Sequence, residues 1–81
     1  MIYKLSKHAL DVISSRGIDI RWIDFVLENP SLIKNISDVE INYFSSIDNN
    51  ESRCLKVVFN PTTKVVITVY FDRNMRKKGC K

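Results

Sequence analysis

"CLKVVFNPTTKVVITVYF", residues 54–71, decides the fold. Two runs rich in β-branched and aromatic side chains flank the turn signal Asn60-Pro61-Thr62-Thr63. Strands joined by so short a connection are antiparallel neighbours. Alternation puts Val65, Ile67, Val69 and Phe71 on one face of the second strand, with Leu55, Val57 and Phe59 of the first beside them. The other face takes Lys56 and Val58, then Val66, Thr68 and Tyr70. Lysine, threonine and tyrosine thus converge on a face that an antiparallel sheet can leave to water.

Working back from the hairpin, "VEINYF" (39–44) alternates and predicts a third strand, while "SSIDNNES" (45–52) reads as a polar loop. "MIYKL" (1–5) offers a short fourth strand. The intervening chain is helical. Ser6 is an N-cap; Leu10 and Ile13 then share a face with Ala9, and Gly17 after Arg16 fits a C-cap with positive φ. Asp19 caps a second helix, "DIRWIDFVLEN" (19–29), whose stripe is Ile20, Ile23, Val26 and Leu27; Pro30 stops it. The expected fold is α+β: an N-terminal αα-hairpin, its helices sharing one apolar stripe, packed on a three- to four-stranded antiparallel sheet.

The 81 residues make one small domain, in which folding buries only about 60–65% of the unfolded chain's surface. No apolar run is long enough to span a bilayer and the start lacks a signal-peptide pattern, so the reading is a cytoplasmic protein without a membrane role. Cys54 and Cys80 have no metal-ligand spacing, the single histidine cannot complete a zinc site with them, and a cytosolic setting argues against a disulfide between them. No metal or cofactor is expected. Charge divides the chain into a domain over residues 1–72 and a basic tail over 73–81, where Arg73, Arg76, Lys77, Lys78 and Lys81 stand without an acid. Without that tail the formal charge falls to −1, so the excess of cations is local and suits a polyanion such as RNA or an acidic partner.

No carboxylate pair, P-loop, dinucleotide-binding glycine motif or nucleophile elbow is present. The inventory suits metal-independent RNA cleavage, in which the RNA 2′-hydroxyl attacks its own phosphodiester and the protein supplies a base, an acid and cations. His8 is a candidate acid or base because imidazole titrates near neutrality. Arg16 and Arg53 can clamp phosphate through their planar forks, and Tyr70 can give a proton or stack on a base. Lys56, Thr68, Arg73, Arg76, Lys77 and Lys78 complete the expected RNA contacts. Eight residues of helix separate His8 from Arg16 by about 80° and roughly 12 Å, so the two border one surface without touching.

"LSKHAL" (5–10), "SRGI" (15–18), "VLENP" (26–30) and "CLKVVFNPTTKVVITVYFD" (54–72) together resemble the DUF4258 family of small bacterial and archaeal proteins. That family is placed with the RelE/ParE and BrnT-like toxins, on a microbial-RNase-like fold. Its pattern resembles His-Ala-x-x-Arg-Met-x-x-Arg-Gly-Ile, which His8, Ala9, Arg16, Gly17 and Ile18 match; Thr68, Val69 and Tyr70 match a later Thr-Val-Tyr. The pattern departs at Val12, which stands where the family has its first arginine, and at Ile13 for the methionine. The resemblance implies a toxin-like endoribonuclease of a type II toxin–antitoxin system, with messenger RNA, free or on the ribosome, and a cognate antitoxin protein as partners. Two other functions occur to the same chemistry and fold: a non-catalytic module that binds protein by strand addition, which the loss of arginine at position 12 favours, and a ParE-like topoisomerase inhibitor.

Overall fold

A computed structural model describes residues 2–47, 53–73 and 80. The elements run β1 (Lys4–Leu5), α1 (Lys7–Arg16), α2 (Ile20–Glu28), β2 (Leu32–Ser37), β3 (Glu40–Ile47), β4 (Arg53–Asn60) and β5 (Val65–Phe71). The class is α+β, with two helices on one face of a single sheet. The sheet itself is larger than the pattern predicts: five strands in the order β1-β5-β4-β3-β2, antiparallel except for β1, which runs parallel to β5.

Both helices begin and end where their capping residues dictate. Ser6 Oγ accepts from the Ala9 backbone N–H at 3.0 Å, and Gly17 closes α1 in the left-handed region at φ 64°. Asp19 caps α2 by accepting from the Arg21 N–H, and α2 ends at Glu28, just before Asn29 and Pro30. The inward faces differ from those expected. Ala9, Val12 and Ile13 of α1 meet the core, whereas Leu10 is 50% exposed; Ile23, Val26 and Leu27 of α2 are buried, whereas Ile20 is exposed. The helices do not chiefly pack on one another, as an αα-hairpin would. Instead α1 lies on β5 and α2 on β4 and β3, and that choice of partner rotates the buried stripe.

A β-bulge is the second correction. β4 and β5 pair Lys56 with Tyr70 and Val58 with Thr68, but the next step pairs Phe59 with Val66 and leaves Ile67 as the extra residue. The phase of β5 therefore inverts. Val66, expected outside, is fully buried with Val69, Leu55 and Val57, while Ile67, expected in the core, is 36% exposed. The N-terminus holds the bulge in place: Ser6 N–H donates to the Val66 carbonyl at 3.0 Å and Ser6 Oγ to the Ile67 carbonyl at 2.6 Å. Nearby, the Tyr3 hydroxyl donates to Asp24 Oδ1, and burial together with that carboxylate pushes the Tyr3 phenol well above its usual value.

The face away from the helices is less open than its polar alternation suggests. Phe44 of β3, Cys54 of β4 and Cys80 form a second small core there, with Leu32 against it. Cys54 and Cys80 are joined by a disulfide, contrary to the expectation of free thiols, and the Cys80 carbonyl accepts from Ser46 Oγ at 3.2 Å. Spacing in sequence carries no trace of this bond, because it joins residues 26 apart that meet only once the sheet exists. Residues 45–47, expected in a loop, continue β3. Among the described residues no helix is long and apolar enough to cross a membrane.

Candidate functional site

At the end of the sheet where β4 begins and β5 finishes, the α1–α2 connection leaves a cavity of about 320 Å³. Its lining is Arg16, Gly17 and Ile18 from the connection, Trp22 from α2, Arg53 from β4, and Tyr70, Phe71 and Arg73 from the end of β5 and just beyond. Each element has a local reason to stop here. Gly17 ends α1 with its left-handed turn and so holds Arg16 at the rim, while the antiparallel register of β4 and β5 sets Arg53 two residues beyond the Leu55–Phe71 pair.

Among the described residues, three guanidiniums and no carboxylate line the cavity. The nearest acid along the connection, Asp19, is already engaged: Arg21 Nη2 lies 2.7 Å from its Oδ2. The hydrogen bond from the Arg21 side chain holds the Asp19 carboxyl below the ordinary carboxylate range. Arg53 lies against an aromatic ring, its guanidinium carbon 4.2 Å from the Phe71 ring centre. Trp22 meets Phe71 edge-on at 6.1 Å, so tryptophan, phenylalanine and arginine form one continuous wall.

Tyr70 connects this cavity to the other face of the sheet. Lys56 Nζ donates to Tyr70 Oη at 2.9 Å and lies 5.1 Å from its ring centre. Cross-strand pairing of Lys56 with Tyr70 makes that contact, and Phe44, the partner of Lys56 on β3, supports the ammonium at 5.8 Å. A phenol that accepts from an ammonium keeps its own O–H free to donate. The lysine is also placed to neutralise a phenolate.

Of the residues read from the sequence, Arg16, Arg53, Tyr70 and Arg73 share the cavity and Lys56 is bonded to one of them. Thr68 lies on the outer face opposite Val58, two positions before Tyr70 on β5, and is not in the lining. His8 is exposed in the first turn of α1, the end of the helix remote from the cavity, and also lies outside the lining. Arg76, Lys77 and Lys78 lie outside the described residues. Sequence reasoning missed Gly17, Ile18, Trp22 and Phe71 as wall residues. Trp22 carried the one available signal, a large aromatic at the margin of its helix stripe.

Fold and site together define a small single-sheet α+β domain with an arginine-lined, partly aromatic cavity. The chain belongs to the family described as Domain of unknown function (DUF4258), whose model matches residues 5–71. No curated protein and no solved structure matches the chain.

Proposed function

We propose that this protein is a toxin-like endoribonuclease of a type II toxin–antitoxin system, with a RelE- or microbial-RNase-like use of its sheet. The carrying observation is the grouping of Arg16, Arg53 and Arg73 around one cavity with Tyr70, whose hydroxyl is held by Lys56. RNA carries its own nucleophile. Its 2′-oxygen bonds to phosphorus as the bond to the 5′-oxygen breaks, leaving a 2′,3′-cyclic phosphate and a free 5′-hydroxyl. The arginines bind the phosphate and take up the charge that develops on its equatorial oxygens. Tyr70 gives its proton to the departing 5′-oxygen, Lys56 stabilises the phenolate left behind, and the 2′-hydroxyl proton leaves to water. Val12 costs little in this scheme, since the three arginines of the cavity supply the phosphate contacts.

The test is cleavage of a single-stranded RNA in the presence of a chelator. Tyr70→Phe should slow it by about 10²-fold or more, in line with loss of a general acid. Arg53→Ala should raise KM and lower kcat, whereas His8→Ala should leave cleavage intact. Cleavage lost in His8→Ala and kept in Tyr70→Phe would move the chemistry to α1. A wild-type chain that leaves RNA whole and cell growth unaffected would end the proposal.

A second surface supports an antitoxin as partner. Among the described strands β2 is an edge of the sheet, with Ile33 and Ile36 exposed along it. A strand from another chain can add there. If an antitoxin strand adds at this edge, proline substitution at Ile33 should abolish its co-purification without altering cleavage.

A further inference from the structure

Resting on that reading, we propose that Trp22 is a nucleobase-binding residue, so that the cavity takes one whole unstacked nucleotide of single-stranded RNA and not the phosphate alone. Three observations carry this. The cavity, about 320 Å³, falls at the lower end of the 300–1,000 Å³ usual for small-molecule sites, and a bare phosphate would leave most of it empty. Its wall joins two chemistries that match the two ends of a nucleotide: guanidiniums from Arg16, Arg53 and Arg73, and an aromatic surface from Trp22 and Phe71. The third concerns which aromatic is free.

Phe71 is committed, with the Arg53 guanidinium over its ring at 4.2 Å and the edge contact to Trp22 at 6.1 Å. It is also packed against the main core. Trp22 is only half-buried, touches that core on one side and lines the cavity on the other. Half-buried, Trp22 lines a cavity that also presents the guanidiniums of Arg16, Arg53 and Arg73. Base stacking on such a surface discriminates little among bases but requires a base free of its own stack, which excludes duplex.

Trp22 is the sole tryptophan, so its emission reports the cavity directly. The full chain is titrated with adenosine 3′-monophosphate, which cannot be cleaved, and separately with inorganic phosphate, with affinities measured by calorimetry. The nucleotide should quench Trp22 emission and bind at least about tenfold more tightly than phosphate. Trp22→Leu should weaken the nucleotide by roughly 5- to 150-fold, the span seen when a stacking aromatic is removed, and leave phosphate affinity unchanged. Trp22→Phe, which conserves the packing on Phe71, should keep most of the preference and decides the matter if the leucine variant does not fold. Equal affinities for nucleotide and phosphate in the wild type, or equal weakening of both in the variants, would overturn the inference while the ribonuclease reading stood. Failure of both probes to bind would overturn the two together.

Discussion

Breaking the Cys54–Cys80 bond should cost this domain a large share of its stability. The bond spans 26 residues, and closing a loop of that length in the unfolded chain removes entropy worth about 3.5 kcal/mol at 25 °C. A chain of 81 residues has only roughly 4–12 kcal/mol in all. Both half-cystines are buried, Cys54 at 1% and Cys80 at 5% exposure, so the loss also loosens the small core around Phe44. The assay is urea unfolding followed by Trp22 emission, on oxidised protein, on protein kept in dithiothreitol, and on Cys80→Ala. Reduction should lower the midpoint by about 1–3 M urea, as usual m-values imply, and should have no further effect on Cys80→Ala. Thiol alkylation of the unfolded chain should fail before reduction and label both cysteines after it. Coincident unfolding curves with and without reductant, or ready alkylation of the unreduced chain, would refute the reasoning. The same arithmetic makes the domain markedly weaker in a reducing compartment than in an oxidising one.

Three further outcomes follow from the geometry. If the bulge sets the phase of β5, Val66→Ala should destabilise by about 1–3 kcal/mol and Ile67→Ala by less than about 0.5 kcal/mol, the reverse of what simple alternation requires; denaturant midpoints decide it. Gly17→Ala should cost about 1–2 kcal/mol in a thermal melt although nothing lies within 4 Å of the added carbon, because φ of 64° strains any L side chain. The Asp19 carboxyl is held below its unfolded value of 3.8, so its contribution is complete above that pH and fades as pH falls through the lower folded value. Asp19→Asn should therefore lower stability at pH 6 by more than at pH 2, measured by unfolding at both.

The sequence shows the parts of this fold whose causes are local. Ser6, Gly17, Asp19 and Pro30 mark the helix ends because capping and ring geometry act within a turn. Leu55, Val57, Phe59 and Val69 reach the core because alternation on β4 and at the end of β5 is undisturbed. "LIKNIS" could not be read as β2, for an exposed edge strand need bury nothing and shows no alternation. Alternation places Ile67 on the core face, but a run of Val65, Val66, Ile67 and Thr68 suits either face until Ser6 arrives to fix the bulge. The cavity follows the same division. Arginine and tyrosine pointed to phosphate chemistry, but which of them meet depends on three element ends coming together, and that left His8 outside and brought Trp22 in.

The pairing of β1 with β5 joins the first of the described strands to the last. During translation Lys4 and Leu5 must therefore wait, without a partner, until Val65 and Val66 have emerged. Arg16 waits likewise for Arg73. A chain cut short before residue 65 lacks both the strand that positions α1 and three of the eight residues of the cavity wall, Tyr70, Phe71 and Arg73. The cavity is therefore complete only once residues up to Arg73 have emerged.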